Sequence, residues 1–149
     1  MQRPAHLDDL DRKILDHLER HGRATLAEVG AAVGLSSSAV KRRVDRLHES
    51  GVIVGYAAIV DPAAVGDRLE AFVELYCADS VAPGDLLSSV SGLDAVIAAH
   101  TVAGDADAVV RVRVEGIEEL EQVIEQLRRD PMVMRTRTMV ALSTLVERR

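Results

Sequence analysis

Apolar residues return along this chain at two different periods, and the change of period divides it. In the first part Leu10, Ile14 and Leu18 recur every four residues, with Leu15 widening the stripe. This predicts a helix from near Asp8 to Gly22, opened by Asp8 or Asp9 and stopped by a left-handed glycine. Thr25 and Glu28 have the T-x-x-E spacing of a capping box, so a second helix follows with Leu26, Val29 and Val33 turned inward. Gly30 lies inside it, where glycine costs about 1 kcal/mol relative to alanine, so close approach of the next helix is expected there. Gly34 makes the turn and Leu35 fills the space beneath it. Ser36 or Ser37 caps a third helix that buries Val40, Val44 and Leu47 and ends at Gly51. The next stretch, VIVGYAAIVDPAAVG, reads as a linking strand with a turn at Asp61-Pro62, and Tyr56 is expected to pack.

From Leu69 the period falls to two. LEAFVELYCA is a predicted strand. Pro83 opens a helix with Leu86, Leu87 and Val90 inward and Gly92 at its end. DAVIAAHTVAG and DAVVRVRVE are strands joined at Gly104. Ile117, Leu120, Val123, Ile124 and Leu127 mark a helix stopped by Asp130-Pro131, and MVMRTRTMVALSTLV is the last strand. The fold class is therefore α+β: a helix-turn-helix unit (1–52), a strand linker (53–67) and a ferredoxin-like βαββαβ unit (68–149). In the first strand Ala71, Val73, Leu75 and Cys77 alternate with Phe72 and Tyr76, so both sheet faces carry apolar groups. Two helices cover one face only. The other calls for an identical sheet, and a homodimer is expected.

Charge changes the picture only once it is divided. The net charge of −6 disfavours a polyanion partner, but residues 1–66 carry nine Lys/Arg and nine Asp/Glu, and the acidic excess lies wholly in 67–149. The local field at a docking face governs binding to a polyanion, not the global balance. Between Lys41 and Arg46 four cations meet one anion, Asp45. Steps of 100° place Arg42 nearly opposite the buried stripe of the third helix, with Ser38, Asp45 and Arg46 beside it and Lys41 and Arg43 flanking. Small polar residues at a helix start let it approach base edges, and arginine grips guanine or phosphate. The candidate DNA-binding set is Ser36, Ser37, Ser38, Lys41, Arg42, Arg43 and Arg46. Within it Ser37, Ser38 and Arg42 are candidates for base edges, and Lys41, Arg43 and Arg46 for phosphates. The partner is double-stranded DNA: aromatics are only 2% of the chain, too few for stacking single-stranded bases.

A single cysteine, Cys77, forms no disulfide within the chain and fits a reducing cytoplasm. The opening residues hold no apolar run of a signal peptide, and no stretch is long and apolar enough to span a membrane. Of the histidines only His17 and His21 stand at i, i+4; no metal and no cofactor is expected, and no catalytic residue.

Several segments together carry a resemblance: LDDLDRKIL at 7–15, VGLSSSAVKRRVDRLHESGVI at 33–53, GYAAIVDPAAVG at 55–66, VAGDADAVVRV at 102–112 and RTRTMV at 135–140. They resemble the Lrp/AsnC family of feast/famine transcriptional regulators, across nearly the whole chain. The resemblance implies a winged-helix-type DNA-binding domain and a sensing, dimerising domain. It further implies dimers that often assemble into tetramers, octamers or rings, and control of amino-acid metabolism by a small effector, commonly an amino acid. The family's effector pocket, carried over here, falls on Gly104, Asp105 and Asp107 and on Thr136, Thr138 and Met139. Ala106 stands where the family often has an aromatic residue, which would widen the pocket, alter its specificity or leave it unused. His100, near the same loop, is a further candidate contact. The plain alternative for Asp105 and Asp107 is turn chemistry, with carboxylates accepting local N–H groups.

Two other functions fit parts of the chain. Sirohaem decarboxylases resemble this family in fold, and Arg111, Arg113, Arg135 and Arg137 would serve a tetrapyrrole's carboxylates if one face held them all. Such an enzyme has no need of a basic recognition helix. A non-specific architectural or small-molecule-binding protein would show weak DNA binding with a steep salt slope.

Overall fold

The computed structural model describes residues 6–78 and 82–146. The chain divides into two compact units, with the boundary after Ala58.

The first unit is three helices: α1 (Asp9–Arg20), α2 (Leu26–Val33) and α3 (Ser37–Glu49). Each start is capped by a side chain. Thr25 and Glu28 form the expected capping box, and Ser36 accepts from the Ala39 N–H. Asp8 and Asp11 form a second box at α1 that the sequence reading did not include. Ile14, Val29, Val40, Val44 and Leu47 form the core, and Leu7, Leu15, Leu18, Val33 and Leu35 pack around it. Gly34 turns the chain at φ +74°. A Cβ at Gly30 would stand 2.5 Å from the Leu35 carbonyl oxygen, so the close approach is to the turn before α3 rather than to α3 itself.

Three expectations for this region need correction. Gly22 does not hold a left-handed φ; α1 ends at Arg20, and the N–H of its C-cap His21 bonds the His17 carbonyl. Leu26, expected inward, is more than a third exposed. The strand expected after Val52 is absent: residues 54–60 are exposed and belong to no helix or strand, and Pro62–Val65 is a 3-10 turn capped by Asp61. A strand needs a neighbouring strand to take its ladder of hydrogen bonds, and the described sheet does not include this segment.

The second unit holds β1 (Leu69–Cys77), α4 (Pro83–Val90), β2 (Val96–Thr101), β3 (Ala108–Val114), α5 (Ile117–Arg128) and β4 (Val133–Ala141). The sheet is antiparallel in the order β2-β3-β1-β4, the split βαβ arrangement the pattern predicts. Ala71, Val73, Leu75, Val110, Val112 and Val114 bury one face against Leu86, Val90, Leu120, Val123 and Leu127 of the two helices. Leu87, expected inward, is 63% exposed. The last strand stops at Ala141, short of the predicted Val146.

The helix-free face differs from the apolar surface expected. Phe72, Tyr76 and Met139 lie on it, but Glu70 and Glu74 alternate with them and meet arginines from both neighbours. Glu70 accepts from Arg111 at 2.8 Å and from Arg113 at 2.9 Å. Glu74 accepts from the Tyr76 hydroxyl at 2.8 Å, and Arg135 stacks on the Tyr76 ring at 3.9 Å. The two arginines hold the Glu70 carboxyl below the ordinary glutamate range.

Candidate nucleic-acid interface and effector loop

On α3 the serines come first. Ser36 caps the helix, its hydroxyl lies 3.1 Å from that of Ser38, and Ser36, Ser37 and Ser38 are all exposed. Beyond them the four cations divide by partner. Lys41 forms an exposed pair with Asp45 at 2.7 Å, worth little in water. Arg42 is exposed and has no ion pair or hydrogen bond among the described residues. Arg43 is only 23% exposed and donates to Asp8 at 2.7 Å and to Asp11 at 2.8 Å. Arg46, 56% exposed, donates to the other oxygen of Asp11 at 2.6 Å.

The arrangement revises the sequence assignment. Arg43 was expected to be free for a phosphate; it is instead folded onto α1, because Asp8 and Asp11 sit one helical turn apart facing it. The Arg43 guanidinium holds the Asp8 carboxyl at about 2, from an ordinary 3.8, and Asp8 in turn raises the Arg43 pKa. Ser37, Ser38, Lys41, Arg42 and the outer part of Arg46 remain on the open surface. Asp11, fully buried, is the residue that sequence reasoning missed. Its D-x-x-D spacing with Asp8 was visible, but its partners lie 32 and 35 residues away.

The effector candidates do not gather into one pocket within a single chain. Gly104 turns the β2–β3 loop at φ +154°, and Asp105 is exposed. Asp107 is engaged: its carboxylate accepts from the Cys77 N–H at 2.7 Å and its own N–H bonds the Leu75 carbonyl. Its carboxylate thus ties the loop to the end of β1, a structural bond to a distant strand rather than to a local N–H of the turn. Thr136 and Thr138 stand opposite Leu75 and Val73 on the helix side, and Thr136 accepts from Arg128 at 2.8 Å. Met139, opposite Phe72, falls on the other face. His100 lies on β2, at the far edge from β4, roughly 14 Å away at a strand spacing of about 4.8 Å. His100 and Thr101 also border a cavity of about 210 Å³ under α4, walled by Leu75, Leu86, Val90 and Val110.

Burial pushes the Cys77 thiol up, with Asp107 adding to the effect, which makes it a poor nucleophile. The rings of His17 and His21 meet at the end of α1, 4.9 Å apart and tilted by 47°, and no group of three or more metal-ligating side chains exists among the described residues. Nor is any described helix long and apolar enough to cross a membrane.

Known proteins match both units. Residues 7–48 match the AsnC-type helix-turn-helix domain and residues 70–149 the Lrp/AsnC ligand binding domain. The HTH-type transcriptional regulator Rv2324 of Mycobacterium tuberculosis is 43% identical over 95% of this chain and 96% of its own. A feast or famine regulatory protein of the same organism, solved with L-methionine, superimposes with a TM-score of 0.89 at 39% identity, covering 97% of each chain. A transcriptional regulator of Neisseria meningitidis, also solved with L-methionine, gives 0.90 at 26% identity over 96% of this chain and 94% of that one. A DNA-reading helix motif joined to this βαββαβ unit, matched in sequence and in structure, identifies the chain as a transcriptional regulator of the Lrp/AsnC family.

Proposed function

We propose that this regulator binds specific operator DNA as a homodimer, through α3, and that an amino acid bound by the sensing unit alters its assembly and its DNA binding. The observation that carries the reading is Arg42: an unpaired, exposed arginine one turn beyond three exposed serines, on the outer face of a capped third helix. In this reading 1–52 binds DNA, 53–67 links and 68–149 senses and oligomerises. Base edges fall to Ser37, Ser38 and Arg42, with Ser36 setting the helix start. Phosphates fall to Lys41 and Arg46. Coupling between effector and DNA is reciprocal: each changes the affinity for the other by the same factor. In this reading the protein acts on DNA in the cytoplasm.

The effector reading takes support from the two relatives solved with L-methionine. We assign first contacts to the exposed Asp105 and the Gly104 backbone, where an ammonium and a carboxylate find opposite charges and free amides. Asp107 shapes this loop. His100 and the threonines lie too far apart to close on one ligand within a chain, so a second copy completes the site.

The enzyme reading loses ground on geometry. Arg111, Arg113, Arg135 and Arg137 do share the helix-free face, but Arg111 and Arg113 are engaged by Glu70, and Arg135 by the Tyr76 ring.

The test is a gel shift on the DNA upstream of this protein's own gene, with each proteinogenic amino acid in turn. A specific shift altered by one amino acid supports both halves. No shift at low salt under any ligand refutes the DNA half, and a shift that no amino acid changes refutes the effector half.

A further inference from the structure

The carboxylate of Asp11 is fully buried, yet it serves groups that reach outward. One oxygen accepts from Arg43 at 2.8 Å; the other accepts from Arg46 at 2.6 Å and from the Asp8 N–H at 3.2 Å. The two arginines are one turn apart on α3, and their fates differ. Arg43 is drawn in, because Asp8 takes the same guanidinium nitrogen from the other side at 2.7 Å. Arg46 gives Asp11 a single nitrogen and remains more than half exposed, its other N–H groups without partners among the described residues. The pair anchors one guanidinium nitrogen and leaves the rest of the group open. It fixes a planar fork of donors at a set place on the open face of the helix.

We propose that Asp11 is a positioning residue for DNA recognition: it fixes Arg46 so that the phosphate contact assigned to it above becomes a base-edge contact, and it withdraws Arg43 from the set that reaches DNA. The inference rests on the reading of α3 as the DNA-contacting helix. Three physical consequences follow. Arg46 gives up its rotamer freedom on folding rather than on binding, which favours the bound geometry. A fixed guanidinium discriminates between bases where a mobile one serves any phosphate. Two carboxylates also mask part of the basic charge, restraining sequence-independent attraction to DNA.

The third consequence gives the test its sign. Asp11→Asn keeps the volume of the side chain and removes its charge, freeing both arginines. Affinities of the full chain for its own upstream duplex and for a scrambled duplex of equal length are measured by fluorescence anisotropy over a salt series. The variants are Asp11→Asn, Arg46→Lys and the pair combined. The result expected for Asp11→Asn is an affinity ratio about tenfold lower, the size of one lost base contact. At the same time binding to the scrambled duplex tightens and its salt slope steepens. Arg46→Lys, which keeps the charge and loses the fork, lowers the ratio similarly, and Asp11→Asn adds no further loss of ratio to it. A wild-type ratio in Asp11→Asn, equal weakening on both duplexes, or full additivity with Arg46→Lys overturns the proposal. If circular dichroism shows that Asp11→Asn does not fold, Arg46→Lys decides: a lowered ratio supports the assignment and an unchanged one overturns it. Wild-type protein that binds both duplexes alike refutes the DNA reading itself, and this inference with it. That outcome is distinct from a wild type that discriminates and a variant that matches it.

Discussion

Gly30→Ala sets two known effects against each other, and the structure decides the sign. Alanine in a helix interior gains about 1 kcal/mol over glycine in propensity. The new methyl would stand 2.5 Å from the Leu35 carbonyl oxygen and 3.5 Å from the Leu35 and Ser36 carbonyl carbons. These are backbone atoms of the turn between α2 and α3, and Leu35 is tied back to the Gly30 carbonyl by an N–H bond of 2.9 Å. The turn has no flexible side chain to give way. Forcing a methyl into a packed site costs about 1–3 kcal/mol, and here the obstacle is main chain, so the upper part of that range applies. Subtracting the propensity gain leaves a net loss of roughly 1–2 kcal/mol. For a unit of this size that lowers the melting temperature by about 5–15 °C. Gly22→Ala is the internal control: φ there is not positive, and its Cβ would meet only the Leu18 carbonyl at 3.8 Å. That change should be neutral or stabilise by about 0.4–1 kcal/mol through the unfolded chain. Thermal melts followed at the helical signal, with amide exchange over residues 26–49, separate this unit from the sheet. A Gly30→Ala protein as stable as wild type, or more so, would refute the argument that close approach demands glycine.

Further outcomes follow from the site. Arg42→Ala should leave melting within about 0.5 kcal/mol, as an exposed residue without partners, while weakening operator binding by about 1–3 kcal/mol; loss of assembly instead would make Arg42 structural. Asp107→Ala removes the acceptor of the Cys77 N–H and should destabilise the sensing unit by about 1–3 kcal/mol in urea melts. Asp105→Ala should leave those melts unchanged and abolish the amino-acid response in gel shifts; an intact response sinks its assignment as a contact. Asp8, Glu28 and Glu70 all have carboxyls lowered in the fold, by Arg43, by the Thr25 amide and by Arg111 respectively. A lowered carboxyl contributes stability above its unfolded pKa and loses it as pH falls, so melting temperature should drop between about pH 4 and 2. Asp8→Asn keeps the helix cap and should flatten part of that drop; an acid profile identical to wild type would contradict the Asp8–Arg43 coupling.

Local chemistry was legible where the partners are near in sequence. The Thr25–Glu28 box, the Ser36 cap and the left-handed Gly34 follow from spacings of a few residues, and the structure has them. The βαββαβ order followed from the change of period, because side-chain alternation is fixed by the pleat. What the sequence hid depends on distant partners. Nothing near Asp11 says that a charged residue will be fully buried; the reason lies on α3. On the helix-free face the apolar Phe72 and Tyr76 are plain in the sequence, but the pairing of Glu70 and Glu74 with cross-strand arginines is set only by register. The stretch 54–60 has strand composition, but composition does not set a place in a sheet. The effector residues came from resemblance, and their scatter over two faces and two edges of one sheet explains why no spacing rule could have gathered them.

The central claim, that α3 reads base edges in the major groove, is tested most directly by dimethyl sulfate protection of guanine N7 on the upstream DNA. The account predicts protected guanines in two clusters, separated by a multiple of about 10.5 base pairs for a two-fold dimer, and lost in Arg42→Ala. Tight binding that leaves every guanine N7 open to methylation would contradict it.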